Sequence, residues 1–240
     1  MQDNFEVILL IARPAAGKSE VIDYLKKTPL VERMERFNVA ELAEFDDFLY
    51  IWEWFEEDDF LQKNGKERLH TKPDYYFKDE FAWHVCIQKI SNAFAKRLAE
   101  PDFLRKHTSL IEFARGGDNG FRDAFNFLSD DILKLARIVY IKVPYEESVR
   151  KNRKRARKGE EHSVLFHSLP DDKMEFYYKV NDWDKLAGGD DGFIQVKGHK
   201  VPFAVFKNEP EVTDKPELLG KALEDVFARL RKRMNEKPAR

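Results

Sequence analysis

Short apolar runs alternate with longer segments of mixed polarity along most of the chain. Three runs have the length and hydrophobicity of buried strands, at 5–11, 109–113 and 137–143, and weaker strand-like runs lie at 37–43, 193–196 and 201–206. Between them, apolar residues recur at helical spacing over 18–27, 48–62, 79–100, 122–134, 171–180 and 216–233. Strands that alternate with helices are typical of βαβ units. The pattern predicts an α/β protein whose parallel sheet is covered by helices on both faces, with 1–240 as a single domain.

Charge and composition narrow the set of partners. The chain has 42 Lys and Arg against 44 Asp and Glu, a net charge of −2, so no overall field draws it to nucleic acid or to a membrane surface. No apolar run approaches the ~20 residues that span a bilayer, and we expect a cytoplasmic protein. The single cysteine, Cys86, lies in an apolar helical segment and is expected in the core.

The first strand leads directly into the segment "ARPAAGKS", residues 12–19, and then into a helix. Backbone N–H groups of such a loop and the positive end of the following helix together form an anion cradle. In this setting a lysine reaches the β- and γ-phosphates of a nucleotide and the next hydroxyl ligates Mg²⁺. We therefore expect the following residues to bind a nucleotide, with Ser19 as a metal ligand: Arg13, Pro14, Ala15, Ala16, Gly17, Lys18 and Ser19.

Alanine occupies two positions of this loop where glycine is common, at Ala12 and Ala15. An alanine there is unfavourable only if its φ is positive, at a cost of about 1 kcal/mol. We predict that neither residue has a positive φ.

Carboxylates follow the second and third predicted strands. Asp46 and Asp47 come just after the second strand, and Glu112 ends the third, with Arg115 close behind. Strand ends of a parallel sheet line the ligand crevice, so one aspartate could accept the proton of an attacking hydroxyl, or serve instead as a helix N-cap. Glu112 is placed to hold Mg²⁺ or its water, and Arg115 to grip a phosphate or substrate oxygen unless it forms a surface ion pair.

A basic segment follows the fourth predicted strand. In a helix, Arg150, Arg153, Lys154 and Arg157 would share one face, and a lid over 145–180 could bring them to the charge that develops on a transferred phosphoryl group. A solvated charged helix and a nucleic-acid or localisation patch are the alternatives.

Taken together, the segments "PAAGKS", "FDDFLY", "TKPDYYFKDEFAW", "LIEFARGG" and the arginine-rich stretch resemble the small-molecule kinases of the P-loop class, in particular the uridine kinase, nicotinamide riboside kinase and pantothenate kinase branch. The resemblance implies a three-layer α/β/α fold with a five-stranded parallel sheet in the order 2-3-1-4-5, a helical lid, ATP and Mg²⁺. It also implies Asp46 as the base, Asp74 as a ribose-binding residue, Glu112 near the metal, and Arg150, Arg153 and Arg157 as lid arginines.

The sequence therefore predicts a kinase that transfers the γ-phosphoryl group of ATP to a hydroxyl of a small metabolite, most plausibly a nucleoside. The acceptor is expected to contact Asp46, Asp47, Asp74 and Arg115. A nucleoside monophosphate kinase is an alternative, although the acidic segment 40–59 favours an acceptor without a phosphate. A regulatory ATPase without an acceptor and a homodimeric assembly also stay open, and the acidic, aromatic stretch 51–60 has no counterpart in the family.

Overall fold

A computed structural model describes residues 4–155 and 168–234. Its centre is one six-stranded sheet in the order β2-β3-β1-β4-β6-β5. All neighbouring strands are parallel except the last pair, which is antiparallel. The strands are β1 Val7–Ala12, β2 Glu41–Asp46, β3 His107–Ala114, β4 Ala136–Lys142, β5 Asp191–Val196 and β6 His199–Lys207. This confirms the α/β prediction.

The sheet differs from the expected one at its far edge. The described residues form six strands in this sheet rather than five, and the strand beside β4 is β6, with β5 outside it. The cause is a tight hairpin: Lys197 and Gly198 both have positive φ, at 49° and 83°, as a two-residue hairpin turn of matching twist requires. A chain that turns back so sharply places β5 antiparallel at the edge.

Eleven helices are described. They are α1 Lys18–Lys27, α2 Leu30–Phe37, α3 Asp47–Lys63, α4 Ala82–Leu98, α5 Phe103–Lys106, α6 Gly120–Phe127, α7 Asp130–Leu135, α8 Tyr145–Arg155, α9 Asp171–Tyr178, α10 Trp183–Leu186 and α11 Pro216–Met234. Within the described ranges, no helix has the length and apolar character needed to cross a membrane. The predicted lid, 145–180, is described only on its two flanks, α8 and α9, and Arg157 lies outside the described residues.

Two of the differences from the sequence prediction have a clear local cause. Helix α2 was not predicted, and the second strand begins at Glu41 instead of residue 37, because Asn38 ends α2 in the left-handed conformation (φ 56°). The predicted helix 122–134 is two helices, because the Ser129 hydroxyl caps the second by accepting a hydrogen bond from the Ile132 N–H.

The core lies on both faces of the sheet. Alternate residues of the fully buried strand β1 point to opposite sides, and each side packs on a different set of helices. One cluster joins the sheet to α4, α6 and α7, and the other joins it to α1, α2 and α11. Central strand β1 is thereby fixed between two helical layers, which holds its carboxyl end rigidly at the sheet edge where the next loop begins.

Candidate functional site

The loop between β1 and α1 directs its carbonyl groups away from its centre. The Pro14 carbonyl accepts a hydrogen bond from Ser148 Oγ (2.6 Å) and the Ala16 carbonyl accepts one from Asn208 Nδ2 (2.8 Å). By contrast, the backbone N–H groups of residues 15–19 have no hydrogen-bond acceptor within the described part of the chain. A row of N–H donors at a helix N-terminus is an anion-binding arrangement.

Gly17 occupies a position that no other residue could fill without strain. Its φ is 117°, and an added Cβ would lie 2.8 Å from Asn208 Nδ2 and 2.9 Å from Thr213 Cγ2. Ala15 also has a positive φ, 53°, so the prediction for that residue is wrong, whereas Ala12 ends β1 with no positive φ as predicted. Positive φ at intervals turns successive N–H groups toward one point, and the hydrogen-bonded carbonyls on either side of Ala15 hold it there.

The Arg13 side chain supports the loop from outside. Its guanidinium donates to the carbonyl oxygens of Tyr178 (3.0 Å), Val143 (3.3 Å) and Lys179 (3.3 Å). This side chain joins the loop to α9 and to the end of β4, and its donors face the scaffold instead of the cradle.

Asp46 and Glu112 stand side by side at the ends of β2 and β3, as partners in the parallel register. Asp46 is also the N-cap of α3, since its Oδ1 accepts from the Phe48 N–H (2.9 Å). Burial, together with the charges of Glu112 and Asp47, raises the pKa of Asp46 to about 7, against the opposing effects of the Phe48 N–H and Lys18. Burial likewise raises the pKa of Glu112, with Lys18 opposing. Both interpretations of Asp46, as cap and as site carboxylate, therefore fit its position.

Asp47 forms a buried ion pair with Arg115. Arg115 Nη1 lies 2.5 Å from Asp47 Oδ2, and both side chains are about 95% buried (5% and 4% exposed). Arg115 also donates to the carbonyl oxygens of Ala114 (2.7 Å) and Trp83 (3.1 Å). The pair is therefore not at the surface, and the Arg115 guanidinium is engaged by Asp47 and two carbonyl groups. Removing either member would leave the other charge buried without a partner, which is strongly unfavourable.

A single cavity of about 910 Å³ joins the loop to these carboxylates. Gly17, Lys18 and Ser19 line its floor, and Asp46, Asp47 and Glu112 line one end. An apolar wall completes that end, formed by Phe48, Leu49, Ile51 and Trp83. The volume falls within the range usual for small-molecule sites.

Asp74, which the resemblance nominated, lies outside this cavity. It is exposed, and its Oδ1 accepts a long hydrogen bond from the Tyr76 N–H (3.4 Å). The structure does not bring it to the other site residues.

Helix α8 crosses the loop with a face that shares Lys154 with the predicted one but does not include Arg150 or Arg153. Lys151, Asn152, Lys154 and Arg155 line the cavity, and Arg155 Nη2 donates to Ser19 Oγ (3.2 Å). Arg150 and Arg153 do not line the cavity, and their role as lid arginines stays a prediction: Arg150 pairs with Glu147 (2.6 Å) and Glu211 (3.3 Å), and Arg153 with Asp171 (2.7 Å). Arg150 therefore contacts a residue that lines the cavity, Glu211, whereas the partner of Arg153 belongs to α9.

Sequence reasoning missed Lys151 and Arg155, although a signal for them exists. Ser148, whose hydroxyl fixes the helix on the loop, lies three residues before Lys151 and seven before Arg155. Residues at this spacing share one helix face. Starting from Ser148 instead of from the arginines would have selected the face toward the cavity.

Oxygen donors of the kind that Mg²⁺ prefers lie beside the loop. Within the described ranges no group of three or more His, Cys, Asp or Glu side chains could hold a metal alone. Mg²⁺ is usually held by one or two carboxylates together with substrate phosphates and water. The Ser19 hydroxyl and the carboxylate of Glu112, both on the cavity wall, fit this mode of binding.

Comparisons with known proteins place no family name on the chain. No family model matches it, and no curated protein does. Among solved structures it is similar to a sugar kinase from Janibacter sp. HTCC2649, with 10% identity over 93% of this chain and 94% of that chain at a TM-score of 0.43. It is also similar to a gluconokinase from Sinorhizobium meliloti 1021, with 11% identity over 97% and 99% of the two chains at a TM-score of 0.44. Neither is described as a member of the branch that the sequence segments resemble.

Proposed function

We propose that this protein is an ATP- and Mg²⁺-dependent kinase that phosphorylates a hydroxyl group of a small metabolite. One observation carries the proposal: a single cavity holds both an anion cradle, whose N–H groups have no acceptor among the described residues, and, beside it, a carboxylate whose pKa is raised to about 7. The cradle suits the phosphates of a nucleotide. A carboxylate with a pKa near neutrality suits proton abstraction at neutral pH.

Each group then has a defined task. The loop N–H groups and Lys18 bind the β- and γ-phosphates, and Ser19 and Glu112 hold the cation. Mg²⁺ neutralises charge on the phosphate oxygens. Asp46 accepts the proton of the acceptor's hydroxyl group. As the hydroxyl oxygen forms its bond to the γ-phosphorus, the bond from that phosphorus to the bridging oxygen breaks and ADP leaves. Arg155, which contacts Ser19, is placed to stabilise charge on the transferred group.

Charge in the acceptor end supports an uncharged acceptor. Arg115 does not line the cavity and is paired with Asp47, and Lys26, which lines it, is paired with Glu44 at 2.7 Å. An acceptor that already carried a phosphate would meet carboxylates and an apolar wall there. These contacts favour a neutral, hydroxyl-bearing acceptor over a nucleoside monophosphate.

An ADP-release assay tests the proposal. ATP and Mg²⁺ are supplied with a panel of nucleosides, sugars and vitamins, each beside its phosphorylated form. We expect one or more uncharged compounds to stimulate ADP release and Lys18→Ala to abolish it, with Lys27→Ala, an exposed lysine of the same helix paired with Asp23, as the matched control. Unchanged turnover in Lys18→Ala would refute the proposal, and ATP consumption that no compound stimulates would favour a regulatory ATPase.

A further inference from the structure

Lys151 is a buried lysine whose hydrogen-bonding capacity is unmet. Its side chain is only 8% exposed, yet it lines the cavity. Its Nζ lies 3.0 Å from Glu211 Oε1 but makes no hydrogen bond of acceptable geometry within the described residues. A buried ammonium carries three N–H donors, and leaving them unsatisfied is unfavourable. The arrangement therefore favours a ligand that offers an acceptor at this point of the cavity.

Both members of this pair are fixed relative to the phosphate loop. Lys151 lies on α8 between Ser148, which binds the Pro14 carbonyl, and Arg155, which binds Ser19. Glu211 belongs to the segment after β6, residues 208–214. There Asn208 donates to the Ala16 carbonyl and to Thr213 Oγ1 (3.0 Å), and accepts from the Val212 N–H (2.9 Å). A ligand held in the loop thus meets the pair in a constant position.

The pair stands on the opposite side of the loop from the carboxylates Asp46 and Glu112. Those carboxylates end β2 and β3, on one side of β1, whereas α8 and the segment 208–214 follow β4 and β6 on the other side. With the γ-phosphoryl group of a nucleotide directed at Asp46, its nucleoside must extend toward Lys151 and Glu211. Glu211 and Asp214 both line this end, which disfavours additional phosphates.

We propose that Lys151 and Glu211 recognise the amino-bearing edge of the adenine base of the phosphoryl donor. Glu211 accepts a hydrogen bond from the exocyclic amino group, and Lys151 donates one to the adjacent ring nitrogen. An ammonium beside a carboxylate matches this edge, which presents an acceptor next to a donor. The inference rests on the proposed function, since it requires a nucleotide in the loop, but it concerns the base and not the phosphates.

Calorimetric titrations distinguish recognition of the base from binding of the phosphates. Wild-type protein, Glu211→Ala and Glu147→Gln are titrated with ATP, with purine riboside triphosphate, which lacks the 6-amino group, and with tripolyphosphate, all with Mg²⁺. Glu147 is the matched control because it pairs with Arg150 (2.6 Å), as Glu211 does (3.3 Å), but does not line the cavity. Hydrogen bonds to charged groups correspond to about 10-fold or more in affinity. We expect the wild type and Glu147→Gln to bind ATP about 10-fold more tightly than the analogue, and Glu211→Ala to bind the two within about 3-fold.

Two results would overturn the inference while leaving the proposed function intact. One is equal affinity of the wild type for ATP and the analogue, a comparison that needs no variant to fold. The other is an equal loss of ATP and tripolyphosphate affinity in Glu211→Ala, which would assign the pair to the phosphates. Absence of binding of both ATP and tripolyphosphate to the wild type would instead overturn the proposed function itself. Should Glu211→Ala not fold because Lys151 is left unpaired, Lys151→Met combined with Glu211→Leu removes both charges, and the same loss of discrimination is expected.

Discussion

Replacing Asp46 with asparagine should stabilise the fold by an amount that grows with pH. Its pKa is raised from 3.8 to about 7, mainly by burial and then by Glu112 and Asp47. The folded state thus holds this proton more tightly than the unfolded state. The contribution of the group to stability is complete below pH 3.8 and is lost as the pH rises through 7. Asp46→Asn removes the ionisation and keeps the cap on the Phe48 N–H, because asparagine caps helices as well as aspartate does.

The size of the pKa shift of Asp46 sets the size of the expected change in the free energy of unfolding. A difference of one pKa unit corresponds to about 1.4 kcal/mol. Relative to acid pH, the wild type therefore loses about 2 kcal/mol of stability at about pH 5.5, where Asp46 is protonated in the folded state but ionised in the unfolded state. It loses about 4 kcal/mol at about pH 8, where Asp46 is ionised in both states. The advantage of Asp46→Asn over the wild type in free energy of unfolding should therefore increase by about 2 kcal/mol over this interval. Any constant effect of the substitution cancels in that difference.

Urea denaturation at the two pH values measures the increase. Asp79→Asn is the matched control, because Asp79 is an exposed aspartate that likewise accepts from the N–H two residues on, that of Phe81 (2.9 Å). We expect no pH-dependent gain from it. An advantage of Asp46→Asn that is constant or that shrinks as the pH rises would show that Asp46 is not held in a strained, ionised state, and the argument for it as the base would lose its physical support. Loss of phosphoryl transfer in the same stabilised variant would join stability and chemistry at one carboxylate.

Three further substitutions test the site. Gly17→Ala should lower the free energy of unfolding by at least about 1 kcal/mol, because of its φ of 117°, and should weaken tripolyphosphate binding measured by calorimetry; unchanged binding would contradict the cradle. Arg115→Met should lower the free energy of unfolding by about 3–5 kcal/mol, because it leaves Asp47 buried without a partner. Urea denaturation measures this loss, and Arg68→Met, whose ion pair lies outside the cavity, is the comparison variant. Arg155→Ala should lower kcat about 10-fold or more while Arg153→Ala, on the outer face, leaves kcat within about 2-fold; equal effects would contradict the assignment of faces.

The regular elements follow from local pattern where burial is complete. The three runs predicted as buried strands are β1, β3 and β4, and their ends lie within two residues of the predicted ones. Errors arise where a short-range conformation interrupts the pattern, as at Asn38 before β2 and at Ser129 between α6 and α7. Strand order at the far edge depends on the hairpin at Lys197, and periodicity alone does not report which of two strands lies outside.

The residues of the candidate site likewise fall into those that local sequence predicts and those that it does not. Residues next to one another in sequence, such as Lys18 and Ser19, or at the end of a strand, such as Asp46, are located by the elements that carry them. Partners distant in sequence are not: no local pattern shows that Asp47 neutralises Arg115 across 68 positions. Nor does it show that Glu211 lies beside Lys151, because that contact depends on how the segment after β6 packs on α8.

The hydrogen bonds that shape the phosphate loop also set an order of events in folding. The Pro14 and Ala16 carbonyls are held by side chains 134 and 192 residues further along the chain. Closing loops of that length costs entropy that must be compensated before such contacts form. The loop therefore reaches its binding conformation only after β4, α8 and β6 have docked on β1. Affinity for phosphate should appear late in refolding, after the sheet has assembled, so that a chain still emerging during synthesis exposes the loop sequence without its binding conformation.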